Sequence, residues 1–151
     1  MNRLIQGALA GAAGTTLLNA VTYLDMAVTG RPASSVPDQA VDRIARRFGV
    51  PLGEGDDAPN RRSAVGALMG LMTGMSAGAM YALGRPATQW APRPVAMLAV
   101  GLGTMAMTDS SIVRLGISDP RDWSARDWAS DVVPHLAFGA GVVATFDAFA
   151  D

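Results

Sequence analysis

Three ionisable side chains lie within, or at the edge of, otherwise apolar sequence: Asp25, Asp109 and His135. Two carboxylates and an imidazole brought to one depth of a membrane can hand on a proton or hold a cation. A charged side chain at mid-membrane costs roughly 2.5 to 3.5 kcal/mol on insertion scales, so each such residue asks for a functional account. Asp147, about 18 Å from His135 at helical rise, belongs near the opposite face, where Arg85 or Arg93 can pair with it and where it could act as a far-side relay. A plainer account competes with this chemistry. In it, Asp25, Asp109 and His135 sit hydrated at the headgroup boundary and only position helix ends, and on residue types alone that account is preferred.

Whether these residues can meet depends on the elements that carry them. Half of the 151 residues are hydrophobic and 17% are charged, which is apolar for a soluble chain of this length. The apolar residues gather into four stretches of roughly twenty residues, enough at about 1.5 Å per residue to cross a hydrocarbon core of about 30 Å. The expected spans are about residues 4–28, 63–83, 94–113 and 132–150. Together they give an all-α, polytopic four-helix transmembrane bundle occupying the chain as one membrane domain. The first stretch has signal-peptide features, Arg3 and Ala8-Leu9-Ala10, but its apolar run continues far past that site and reads as a retained helix. A soluble bundle is the structural alternative, disfavoured because long Gly-rich helices are poor choices in water.

The polar segment 30–62 contains an amphipathic helix over about 35–48. Ser34 or Ser35 can cap it, Pro37 suits its first turn, and Gly49 followed by Pro51 ends it. Val41, Ile44 and Phe48 share one face, so the helix is expected to lie on the membrane surface or over the bundle. Leu52 to Asn60 reads as acidic and irregular. Before the fourth span, Arg121-Asp122-Trp123-Ser124-Ala125 is echoed by Arg126-Asp127-Trp128-Ala129-Ser130, with Trp123 and Trp128 as expected interface anchors and a further short surface helix possible in this loop. Loops one and three together carry nine Arg, from Arg31 to Arg126, whereas the other face has Arg3, Arg85 and Arg93. The positive-inside rule therefore places loops one and three in the cytoplasm, with both termini outside. Asp25, Asp109 and His135 then share the cytoplasmic level.

Small residues mark helix contacts. Gly66, Gly70, Gly74 and Gly78 recur every fourth residue, and Gly7 and Gly11 give the first span a shorter version. Close backbone approach is a main source of helix association in lipid. This spacing serves either packing within the chain or a self-association surface. On the first helix Gly7, Gly11, Thr15, Asn19, Thr22 and Asp25 form one inward face.

Other chemistries are excluded by residue type. There is no Cys, one His and no Lys, so thiolate sites, paired-histidine zinc motifs and a Walker A lysine are ruled out. No G-x-S-x-G elbow occurs, and Gly101-Leu-Gly103 lacks the rest of a dinucleotide fingerprint. No enzyme, cofactor or metal is expected, and a net charge of -1 makes no case for nucleic acid. The nine Met residues read as flexible filler.

Asp131-Val132-Val133-Pro134-His135-Leu136-Ala137-Phe138-Gly139, with the Gly-rich first span and its Asn19 to Asp25 end, resembles small uncharacterised bacterial inner-membrane proteins, broadly YagU-like. The resemblance covers the general layout and both ends of the chain and implies a membrane protein of the inner (plasma) membrane. The leading expectation is a non-enzymatic protein that acts by helix association, as a homo-oligomer or an accessory subunit, with the lipid bilayer and itself or another membrane protein as partners. The alternative is a small proton or cation channel or transporter using Asp25, Asp109 and His135.

Overall fold

The structure, a computed structural model, describes residues 1–149. The chain forms a four-helix transmembrane bundle with one amphipathic helix in the first loop: α1 (Arg3–Thr29), α2 (Val36–Phe48), α3 (Asp57–Thr88), α4 (Arg93–Arg114) and α5 (Ala125–Ala148). All but α2 are long and apolar enough to cross a membrane. Residue 150, the expected end of the fourth span, lies outside the described residues.

Local sequence explains the helix ends. The Asn2 side chain accepts the Leu4 N–H at 2.9 Å to start α1, and Gly30, at φ 69°, closes it in the left-handed conformation that glycine adopts without cost. The Ser34 hydroxyl accepts the Val36 N–H at 3.2 Å before α2, and Gly49 closes that helix. Ser124 and Asp127 form a reciprocal capping box at the start of α5. The second half of the tandem echo therefore lies not in a separate surface helix but inside the fourth membrane-spanning helix. What precedes it is one short 3-10 turn, Pro120–Asp122.

Two helices extend beyond the apolar stretches. α3 begins at Asp57, so part of the segment read as irregular is helical, and it runs on through Pro86. α5 begins seven residues before its apolar stretch, which puts Pro134 inside the helix rather than in its first turn. Proline has no N–H to offer the Ser130 carbonyl, so the helix loses one backbone bond there.

In cross-section the order is α3, α1, α5, α4, with α1 packed between α3 and α5, α4 along α5, and α3 barely touching α4. Glycine makes the close seams possible. A β-carbon at Gly78 would lie 2.7 Å from the Gly11 Cα, and one at Gly7 would lie 2.6 Å from the Ala82 Cβ. Gly14 and Gly141 play the same part between α1 and α5, as do Gly101 and Gly139 between α4 and α5. The core beside these seams is Ala10, Ala77, Phe138, Val142 and Phe146. Leu68, Met72 and Leu98 face outward, as lipid-facing residues do.

α2 lies on α3, with Pro37 over Gly66 and the Arg62 guanidinium bonded to Asp42 at 3.0 Å. Its buried face is Val41 and Ala45; Ile44 is half-buried and Phe48 is 74% exposed, so Phe48 does not share the covered face as expected. In loop three Trp123 and Trp128 meet edge to face at 5.2 Å, and the Trp123 indole N–H donates to Ser118. The Arg121 guanidinium and backbone N–H hold the Asp119 carboxyl down to about 2. Because that value lies below the ordinary Asp value of about 3.9, the stabilisation from this pair is complete above about pH 4 and is lost as pH falls through about 2. Carboxyl NMR of the protein in nanodiscs is expected to give an Asp119 midpoint near 2; a midpoint near 4 would mean the pair does not form.

Candidate functional site

At the end of the bundle that carries loops one and three, the weak contact between α3 and α4 leaves a cavity of about 450 Å³. α1, α3, α4 and α5 all contribute to its wall, and the start of α2, with Pro37 and Asp38, lies at its rim. Asp109, Asp131 and His135 line it, and Phe138 lies in its wall on the side of the buried core.

α4 turns Asp109 inward among its buried residues, where it is only 8% exposed. No hydrogen bond or ion pair of its carboxylate to another described residue is found. On α5, one turn brings Asp131 beneath His135: the imidazole Nδ1 is 2.9 Å from the Asp131 carbonyl oxygen and 3.4 Å from its Oδ1. The Asp131 Oδ2 is shut off from solvent without a hydrogen-bond partner. With Nδ1 donating to that carbonyl, a neutral His135 presents Nε2 as an acceptor.

The hydroxyls of the wall are oriented by the helices. Thr15 donates to the Gly11 carbonyl at 2.9 Å, and Thr108 donates to the carbonyls of Thr104 and Met105. Their hydrogens are therefore spent on backbone, and their lone pairs are what they can offer to a guest. Among the described residues, the wall holds Asp38, Asp109 and Asp131 and no Arg. No cluster of three or more His, Asp or Glu suited to a metal ion occurs among the described residues.

The expected trio is only partly assembled. Asp109 and His135 share the cavity, whereas Asp25 is outside its wall, half-buried and bonded to the Arg31 guanidinium. The α1 face that was expected to turn inward supplies Thr15 and Asn19 to the cavity instead. Asp131 is the residue that reading by apolar stretch overlooked, since it precedes the fourth stretch; its spacing of four from His135 was the available signal. Asp147 lies at the far end, paired with Arg93 at 2.6 Å. Between the two ends stand Phe138, Val142 and Phe146, all buried, with Tyr81 edge-on to Phe146 at 5.4 Å. This apolar layer separates Asp147 from the cavity.

The glycines divide into two groups. Gly7, Gly11, Gly74 and Gly78 are consumed in the α1–α3 seam and Gly66 meets α2, but Gly70 packs on nothing: a β-carbon there would find open space, and the residue belongs to the cavity wall.

No known protein family, curated protein or solved structure matches the chain. The functional reading therefore stands on the geometry.

Proposed function

We propose that this multi-pass membrane protein is a non-enzymatic proton or cation binder that loads from one face of the membrane and serves transport. The observation that carries the reading is Asp109: a carboxylate on a membrane helix, almost wholly buried, without a partner, at a cavity lined by further carboxylates and an imidazole. A carboxylate largely withdrawn from solvent and without a protein partner is costly when charged, and a proton or a cation entering the cavity relieves that cost. His135 and Asp131 stand ready as the neighbouring proton-exchanging groups. By the positive-inside rule, the Arg bias of loops one and three favours the cytoplasmic side for the open face. The apolar layer at Phe138 makes the described conformation closed on the other side, as a transporter between turnovers must be on one side.

Association is the second reading. The glycine faces that suggested it are largely buried inside the chain, but α4 keeps Leu98, Leu102 and Met107 exposed and packs mainly on α5, a flank suited to another helix.

One experiment separates the two. In liposomes with an imposed pH gradient and membrane potential, the natural protein is expected to carry ion flux that falls at least tenfold in Asp109→Asn and markedly in His135→Ala. Tight vesicles from verified folded protein would remove the transport reading, and a strictly monomeric particle in nanodiscs would remove self-association through the α4 flank.

A further inference from the structure

If the cavity is a cation site, as proposed above, its lining also selects which cation it takes. We propose that the cavity binds a small organic monocation, a protonated amine with a compact apolar body, its ammonium between Asp109 and Asp131 and its hydrocarbon part against Phe138.

Charge selects the sign. Asp109 is 8% exposed and unpartnered, the Asp131 Oδ2 is buried and unpartnered, and no Arg among the described residues lines the space. Hydrogen bonding selects the headgroup. The wall is rich in acceptors, with three carboxylates, the lone pairs of Thr15 and Thr108, and Nε2 of His135 in its neutral form, beside the donors of Asn19 and Tyr23. An ammonium has donors only, several of them, and satisfies such a wall without needing anything in return.

Size and apolar surface select the body. A space of about 450 Å³ is far larger than a dehydrated metal ion, and the described residues hold no metal-type ligand cluster. Pockets of this size suit small molecules, for which a few polar groups fix orientation while apolar walls supply contact. Phe138 gives the cavity an aromatic wall.

A second opening supports an amine with apolar character. On the flank of α4, a largely apolar cleft of about 570 Å³ between Leu102, Met105, Val113 and Trp128, with Arg114 also in its lining, has Asp109 in its wall. Asp109 thus borders both the polar cavity and a cleft on the lipid side. A guest whose charged end seeks a carboxylate and whose other end prefers lipid can approach it from the bilayer, a path that a hydrated inorganic ion does not have.

The test is calorimetric titration of 2-phenylethylammonium into the natural protein in nanodiscs. Saturable binding is expected, weakened at least tenfold by Asp109→Asn and by Asp131→Asn, with 2-phenylethanol, which lacks the charge, not binding. Gly70→Leu adds bulk in the open space while leaving every carboxylate in place, and it is expected to abolish binding at an unchanged melting temperature. Folded natural protein that takes no amine, or that binds it undiminished after both Asp109→Asn and Gly70→Leu, overturns the assignment. If amine fails to bind while Asp109-dependent proton flux persists, only the amine assignment falls; if both are absent, the cation site falls with it.

Discussion

Gly11→Leu is expected to leave no stably folded bundle in mild detergent. A β-carbon at residue 11 would run into the Gly74 carbonyl oxygen and stand 2.8 Å from the Met75 Cα, both main-chain atoms of α3. Main chain in a helix cannot step aside as the tip of a side chain can, so α1 and α3 must separate along the seam. Overpacking a core ordinarily costs about 1–3 kcal/mol, and forcing two backbones apart belongs at or above the top of that range. The control is Gly103→Leu, where the added side chain begins in open space and the melting temperature should hardly move. Melting curves in which the two variants fall together would show that the α1–α3 seam is not what glycine secures. Because the contact is within the chain, the loss at Gly11 should not depend on protein concentration.

Phe138→Ala is expected to have the second large effect, and in the opposite direction on function from Asp109→Asn. The Phe138 ring is 1% exposed and contributes both to the core and to the cavity wall. Truncating a buried Phe to Ala removes packing worth about 3–5 kcal/mol where the surroundings cannot collapse. The space released adjoins the cavity, so water gains ground toward Val142 and Phe146 and the apolar layer thins. Proton leak through liposomes should rise in Phe138→Ala while it falls in Asp109→Asn. A folded Phe138→Ala protein with unaltered leak would show that the barrier lies elsewhere.

Much of the architecture is legible in the sequence because length and charge segregation are one-dimensional properties. Four uncharged or nearly uncharged stretches and a capped amphipathic segment announce the five helices without knowledge of their neighbours. Helix ends are less legible. Asp57 to Arg62 and Ala125 to Asp131 are polar and still helical, since hydropathy reports what lies in lipid and not where the backbone stops being helical. The site is legible by level but not by azimuth. Asp25, Asp109 and His135 sit toward the same end, yet Asp25 turns to Arg31, and the carboxylate that stands beneath His135 in the cavity is Asp131. Gly70 teaches the same lesson. It keeps the four-residue rhythm of Gly66, Gly74 and Gly78, but the partner helix bends no side chain or backbone toward it, and a regular spacing cannot say which of its members is left facing a void.

The placement of α1 between α3 and α5 sets the order in which the molecule can be built. α1, which packs on a partner at each side, precedes both of them along the chain: α3 follows it, and α5 follows α3 and α4. Until α3 is in the membrane, the glycines of α1 face lipid and gain little from it; until α5 arrives, Gly14 has no opposite number and the space around Asp109 has no back wall. A chain halted after α4 would hold α1 against α3, but α4 would lack the helix on which it leans. The pairings that close the molecule join residues far apart in sequence, which is the kind of contact that forms slowly and late. The polar cavity is thus complete only once α5, with Asp131 and His135, has packed against α1 and α4.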